Sequence, residues 1–210
     1  MKRVASTTAG CVLLLSAPCA HALTQTIILI RHGEKPLLGR GQLTCRGLNR
    51  ALALPGVIEA AFGRPDVIFA PDPAHEVFDP GGEFDYVRPL ATIEPTAIAF
   101  DLPVHVEFGY SDIAALEAEL AQPRYWASTV LIGWEHVWAA RMAKELMAAN
   151  GGGVEAVPSW GSGDYDSIYV VRIDRTFTRA TAVFQHTREG LDGQSDQCPG
   201  NSGSTPRPEK

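Results

Sequence analysis

Arg31-His32, Arg88 and His136 are the residues of this 210-residue chain whose types and settings could do chemistry together. A histidine attacks phosphorus when one ring nitrogen is neutral and aimed and the other is held by a hydrogen bond. Its ordinary pKa of about 6.5 supplies the neutral form near neutral pH. A phosphoryl group carries negative charge on its oxygens through the transition state, so a site that transfers one needs fixed cations and donors. Arginine suits this best, because its planar fork binds two oxygens at once. Arg31 adjoins His32, and a helix starting near His136 would add backbone N–H groups and a favourable dipole. Gly33 would let backbone pass close to a substrate. Each residue also has an ordinary use: a core-edge histidine, a helix-surface salt bridge, a helix-start residue.

These residues sit on recognisable elements. Thr26–Ile30 is a branched apolar run that reads as a buried strand ending at Arg31-His32. Residues 43–62 are helical in composition but interrupted by Pro55-Gly56, which predicts two short helices or one kinked helix. Asp66–Ala70 and Thr129–Gly133 read as further buried strands. Residues 71–87, rich in Pro, Gly and acids, read as a long loop, and loops of that length tend to be functional. Arg88–Phe100 reads as a helix despite Pro95, Val104–Phe108 as a short strand, and Ser111 as the N-cap of a helix through Leu120. His136–Ala149 is a helix stopped by Asn150 and three glycines, and Ser167–Ile173 and Ala180–Phe184 are late strands. Alternating strands and helices predict an α/β fold, a three-layer α/β/α sandwich with a largely parallel central sheet. Ligands of such sheets bind at the carboxyl ends of the strands. Arg31-His32 and Trp134-Glu135-His136 both lie just past such an end, so neighbouring strands would turn both histidines to one pocket.

The formal charge of −6 argues against a nucleic-acid partner and against a cationic membrane-surface protein. Lys2-Arg3, the apolar Val12–Leu15 stretch and Ala20-His21-Ala22 read as a secretory signal peptide over residues 1–22, which implies a secreted or periplasmic protein with no stable membrane span after cleavage. The domain is expected over residues 23–189, followed by a flexible, polar tail over 190–210. Cleavage would leave Cys45 and Cys198, which an exported chain could join as one disulfide; two unpaired thiols are the alternative.

The motifs resemble those of the histidine phosphatase superfamily, which includes phosphoglycerate mutases and acid phosphatases. Ile28–Glu34 (ILIRHGE) resembles its RHG signature on a strand. Leu43-Thr44-Cys45-Arg46-Gly47 resembles the element opening its first helix. Residues 88–97 (RPLATIEPTA) resemble its R-x-x-x-T-x-x-x-x-A helix, and Val130–His136 resembles the strand delivering its second histidine. The resemblance spans roughly residues 25–185. It implies an exported phosphatase acting on a small-molecule phosphomonoester, with His32 becoming phosphohistidine and Arg31, Arg88 and His136 binding the phosphoryl group. It implies no metal and no cofactor. A mutase is disfavoured, because it would have to retain the phosphohistidine and exclude water. The sequence departs from the family at the proton donor. Trp134-Glu135 replaces the common glycine before His136, and Val137 stands where acid phosphatases carry an aspartate. Glu135 is the preferred donor and Glu107 the alternative, with a solvated or structural role open for each.

A phosphate-binding protein of the same fold without effective catalysis is the competing reading. A sugar- or envelope-directed protein using Trp134, Trp138 and Trp160 as stacking surfaces is a weaker third. The chain has no HExxH or CxxC pair, which disfavours zinc, and no GxSxG. Asp72, Glu76, Asp79, Glu83 and Asp85 of the long loop would repel highly anionic substrates if they face the pocket, which favours a modestly charged monoester.

Overall fold

A computed structural model describes residues 23–176 and 178–200; the expected signal peptide and residues 201–210 lie outside the described residues. Strand β1 (Leu23–Arg31) is followed by α1 (Cys45–Phe62), β2 (Val67–Phe69), a hairpin of β3 (Glu76–Asp79) and β4 (Gly82–Asp85), and α2 (Arg88–Phe100). Then come β5 (Val104–His105), α3 (Ile113–Leu120), β6 (Thr129–Trp134), α4 (His136–Ala149), β7 (Ser167–Arg175) and β8 (Ala180–Arg188). The main sheet has the order β5-β2-β6-β1-β7-β8. Its first four strands are parallel, and β7 and β8 add an antiparallel margin.

The sheet's side-chain alternation builds two cores. Ile27 and Leu29 face α3 and α4 with Ile113, Leu116, Met142 and Leu146, while Ile28 and Ile30 face α1 and α2 with Leu54, Ile58, Ile93 and Ala97. All four β1 residues are fully buried, as a strand covered on both faces requires. Each such side chain contributes on the order of 2 kcal/mol by leaving water. The expected layered α/β architecture is the one observed.

Some elements differ from expectation. Residues 43–62 do not divide at Pro55-Gly56; α1 runs as one helix with Pro55 inside it. Burial of Leu54 and Ile58 on either side offsets the missing hydrogen bond. The 71–87 segment is not all loop, because β3 and β4 pair from Glu76↔Asp85 to Asp79↔Gly82. Ser111 does not cap α3; Asp112 stands at that position, and its carboxylate instead accepts from Gly109 N–H.

The tail also differs over its first part. Residues 190–198 were expected to be flexible, yet they lie against α1. Leu191 is buried, Asn49 donates to the carbonyls of Ser195 and Gln197, Arg46 pairs with Asp196, and Cys198 is disulfide-bonded to Cys45. Beneath this segment Arg50, 0% exposed, meets four carboxylates: Glu34 at 2.8 Å, Asp166 at 3.3 Å, Glu189 at 2.6 Å and Asp192 at 3.1 Å. Burial pushes the Glu189 carboxyl up to about 8 despite the guanidinium beside it. Among the described residues no helix is long and apolar enough to cross a membrane.

Candidate active site

β1 and β6 are adjacent and parallel, with Arg31 opposite Trp134. The register therefore brings His32 and the Glu135-His136 pair to the same rim of the sheet. His32 continues the ladder for one step, donating its N–H to the Trp134 carbonyl at 3.0 Å. Its ring is 1% exposed. Nδ1 lies 2.8 Å from the Gly33 carbonyl, an oxygen that can only accept, so Nδ1 carries the hydrogen. Arg88 Nε, which can only donate, lies 3.3 Å from Nε2. The tautomer follows: Nε2 holds a lone pair, and it faces a cation. Burial first, then the Arg88 charge, holds the imidazole well below its ordinary 6.5 and hence neutral.

The backbone under His32 is tied to two other elements. Thr92 Oγ1 accepts the Gly33 N–H at 2.8 Å and donates to the Arg88 carbonyl at 2.7 Å. This single hydroxyl locks the histidine loop to the first turn of α2. Gly33 serves a different close approach from the one expected. A β-carbon there would come within 2.8 Å of the Gly47 carbonyl oxygen, so its missing side chain admits α1 rather than a substrate. α1 begins at that contact because Thr44 caps it, accepting from Gly47 N–H at 3.1 Å.

Arg88 reaches His32 from the start of α2 and is aimed by a residue the sequence did not single out for the site. Asp79, on β3, grips the guanidinium with both oxygens, at 2.6 and 3.2 Å. It also accepts from Gly41 N–H at 3.0 Å and from Lys35 Nζ at 3.1 Å. Despite burial, these donors hold its carboxyl down at about 2. The other acids of this segment do not enter: Glu76, Glu83 and Asp85 are exposed, and Asp72 pairs with His75. The expected repulsion of anions by the acidic loop therefore loses its basis, since the one acid at the site is already neutralised by cations.

Arg31 is 2% exposed and turns toward the loop before β7. One of its terminal nitrogens donates to the carbonyls of Ser162 and Asp164, at 2.7 and 2.9 Å, and its guanidinium stacks 3.9 Å from the Tyr165 ring centre. Its Nε is buried without a hydrogen-bond partner among the described residues. The Tyr165 ring in turn lies 6.1 Å from that of His32. Asp164 makes the loop rigid, accepting from the Asp166 and Ser167 N–H groups and the Ser167 hydroxyl.

The preferred proton donor has another use. Glu135 is the N-cap of α4, accepting from the N–H groups of Val137 and Trp138, and its other oxygen pairs with His136 Nδ1. Those donors outweigh burial and hold its carboxyl below the usual range, so it is ionised and has no proton to give. It positions His136 instead. Glu107 is 61% exposed and pairs with His105. It follows β5, three strands from β1, a lateral distance of roughly 14 Å at about 4.8 Å per strand. Two of the three tryptophans offer little stacking surface, and Trp138 is half-buried. Trp134 is fully buried with its indole N–H on the Tyr110 carbonyl, and Trp160 is packed 4.2 Å from Tyr169. Among the described residues no group of three or more His, Cys, Asp or Glu is placed to hold a metal ion.

The sequence did not single out Tyr86. It is fully buried, its ring stands edge-on to His32 at 6.1 Å, and the Arg88 guanidinium lies over it at 4.6 Å.

No protein-family model and no curated protein matches the sequence. Among solved structures, the chain is similar in fold to a protein named as the phosphohistidine phosphatase SixA from Nakamurella multipartitia. The identity is 16% and the TM-score 0.52, over 78% of this chain and 96% of that one. A protein of the same name from Agrobacterium tumefaciens matches at 15% identity and a TM-score of 0.48, over 77% of this chain and 97% of its own. A mycobacterial glucosyl-3-phosphoglycerate phosphatase matches at 12% identity and a TM-score of 0.47, over 77% and 97%. The first of these likenesses establishes a shared fold.

Proposed function

We propose that this chain, which has the fold of the histidine phosphatase superfamily, is an exported phosphomonoesterase working through a phosphohistidine on His32. The observation that carries the reading is the neutral, buried imidazole with Nδ1–H fixed on a carbonyl and its Nε2 lone pair turned to Arg88. In this reading Nε2 attacks the phosphorus of a phosphomonoester and the ester oxygen leaves. Arg88 Nε–H, released from Nε2, passes to a phosphoryl oxygen, while Asp79 keeps the guanidinium in plane. Arg31 and His136 hold the remaining oxygens, and the Glu135 carboxylate keeps His136 turned to them. Water then attacks the phosphohistidine and frees phosphate. The charge is supplied by side chains, so no step calls on a metal or cofactor. Export is supported by the Cys45–Cys198 bond, a linkage favoured in oxidising compartments, and by the signal-like first 22 residues.

The test is hydrolysis of 4-nitrophenyl phosphate in the presence of chelator, with the enzyme quenched in alkali to preserve an acid-labile phosphoenzyme. Label recovered on a peptide containing His32 is the expected result; turnover with label elsewhere would overturn the assignment. One observation favours a second reading: Asp79 already occupies both terminal nitrogens of Arg88. A phosphate-binding protein would show vanadate affinity with no turnover and no label.

A pH prediction follows from the imidazole. Burial and Arg88 lower its pKa, so the neutral nucleophile persists below pH 6.5 and is lost only as pH falls through the lowered value. The acid limb of kcat/KM, corrected for the ester's own ionisation, is expected to have its midpoint below 6.5. A midpoint at or above that value would contradict a buried, cation-flanked nucleophile.

A further inference from the structure

An alkyl ester needs a proton for its departing oxygen, and the carboxylates around His32 cannot supply one. Asp79 is clamped by Arg88, Lys35 and Gly41, and Glu135 by His136 and two backbone N–H groups. Tyr86 remains. Its side chain is 0% exposed, and its hydroxyl makes no hydrogen bond of normal length and angle among the described residues, although the Arg88 guanidinium acts on it from close by. A buried hydroxyl left unpaired is uncommon, because it forfeits its hydration. The ring is fixed edge-on to His32, under Arg88 and against Tyr110 at 5.5 Å. The charges acting on the hydroxyl are those of the site itself: Arg88, Glu135 and Arg31.

We propose that Tyr86 is the proton donor to the leaving oxygen, an inference that rests on His32 being the nucleophile. As Nε2–P forms and the P–O bond to the leaving group breaks, the phenolic proton passes to the departing oxygen. The products are free alcohol, phosphohistidine and a tyrosinate whose burial Arg31 and Arg88 offset in part. In the second step the tyrosinate takes a proton from the attacking water, the N–P bond breaks, and phenol and neutral imidazole are restored. Burial raises the phenol's pKa, so the proton is in place throughout the neutral range.

The experiment compares Tyr86→Phe with wild type on two esters, 4-nitrophenyl phosphate and glycerol phosphate. Nitrophenolate departs without help, whereas the glycerol alkoxide does not. The expected result is a fall of about 10²- to 10⁴-fold in kcat/KM on glycerol phosphate, but less than about fivefold on the aryl ester. Vanadate inhibition and the thermal midpoint should be kept, because the ring contacts remain. An equal fall on both esters would make Tyr86 a phosphoryl-oxygen ligand and overturn the proposal, as would no fall on glycerol phosphate. Absence of wild-type turnover on both esters would sink the phosphatase reading itself, and this inference with it, whereas turnover of the aryl ester alone would leave that reading standing and overturn the proton donor.

Discussion

His32→Ala is expected to lower kcat on 4-nitrophenyl phosphate by at least about four orders of magnitude, to the level left by binding alone. In the proposed mechanism the imidazole both supplies the attacking nitrogen and divides one hard displacement into two. No neighbour can substitute for it. Arg31 and Arg88 are cations, Tyr86 is held protonated, and the nearby carboxylates are engaged. The alanine variant should still fold, since Thr92 continues to hold the Gly33 N–H and β1 keeps its pairing with β6. Circular dichroism and the thermal midpoint would verify this alongside the rate. Residual activity above about 1% would show that the nucleophile lies elsewhere.

Arg50→Ala is expected to be the most damaging stability variant, costing about 3–5 kcal/mol. The guanidinium is fully buried and faces Glu34, Asp166, Glu189 and Asp192. Removing it leaves four carboxylates repelling one another, most of them in a poorly hydrated space. The thermal midpoint should drop by about 10–15 °C for a chain of this size. The sign with pH is opposite to that of a broken surface bridge. Carboxyls whose folded pKa is raised above the unfolded value lose stability as pH rises through that interval. Glu189 is already raised to about 8 with Arg50 present. The deficit should therefore be larger at pH 8 than at pH 5. A midpoint within about 3 °C of wild type at pH 8 would show that the cluster contributes little.

The residues proposed to carry the chemistry are legible in the sequence because each sits on a local signature. His32 ends a branched apolar run, His136 opens a helix after another, and Arg88 opens a periodic segment whose Thr92 lies one turn on. The pairing of β1 with β6, which brings the first two to one rim, is left open by the layered pattern and is supplied by the sheet order. What was not legible depends on distant partners. Nothing near Asp79 in sequence says that it meets Arg88; that depends on the β3–β4 register, in a stretch whose Pro, Gly and acids conceal the pairing. Glu135 looked like an acid by its position beside His136, and only the backbone geometry of α4 makes it a cap. Nothing in the sequence singles out Tyr86, because its burial depends on elements from three parts of the chain. The first part of the tail, residues 190–198, differs from expectation for the same reason. Its composition is polar, but Asn49, Arg46 and Cys45 hold it from another element.

The bond between Cys45 and Cys198 joins residues 153 positions apart. During synthesis the first helix must wait for its partner until nearly every described strand has left the ribosome. A thiol at residue 45 therefore stays unpaired while the sheet assembles, and clipping the chain anywhere ahead of residue 198 would leave it permanently so. On a chain folding as it emerges from the ribosome, the bond closes only after every described strand has been made, so there it secures the sheet rather than starting it.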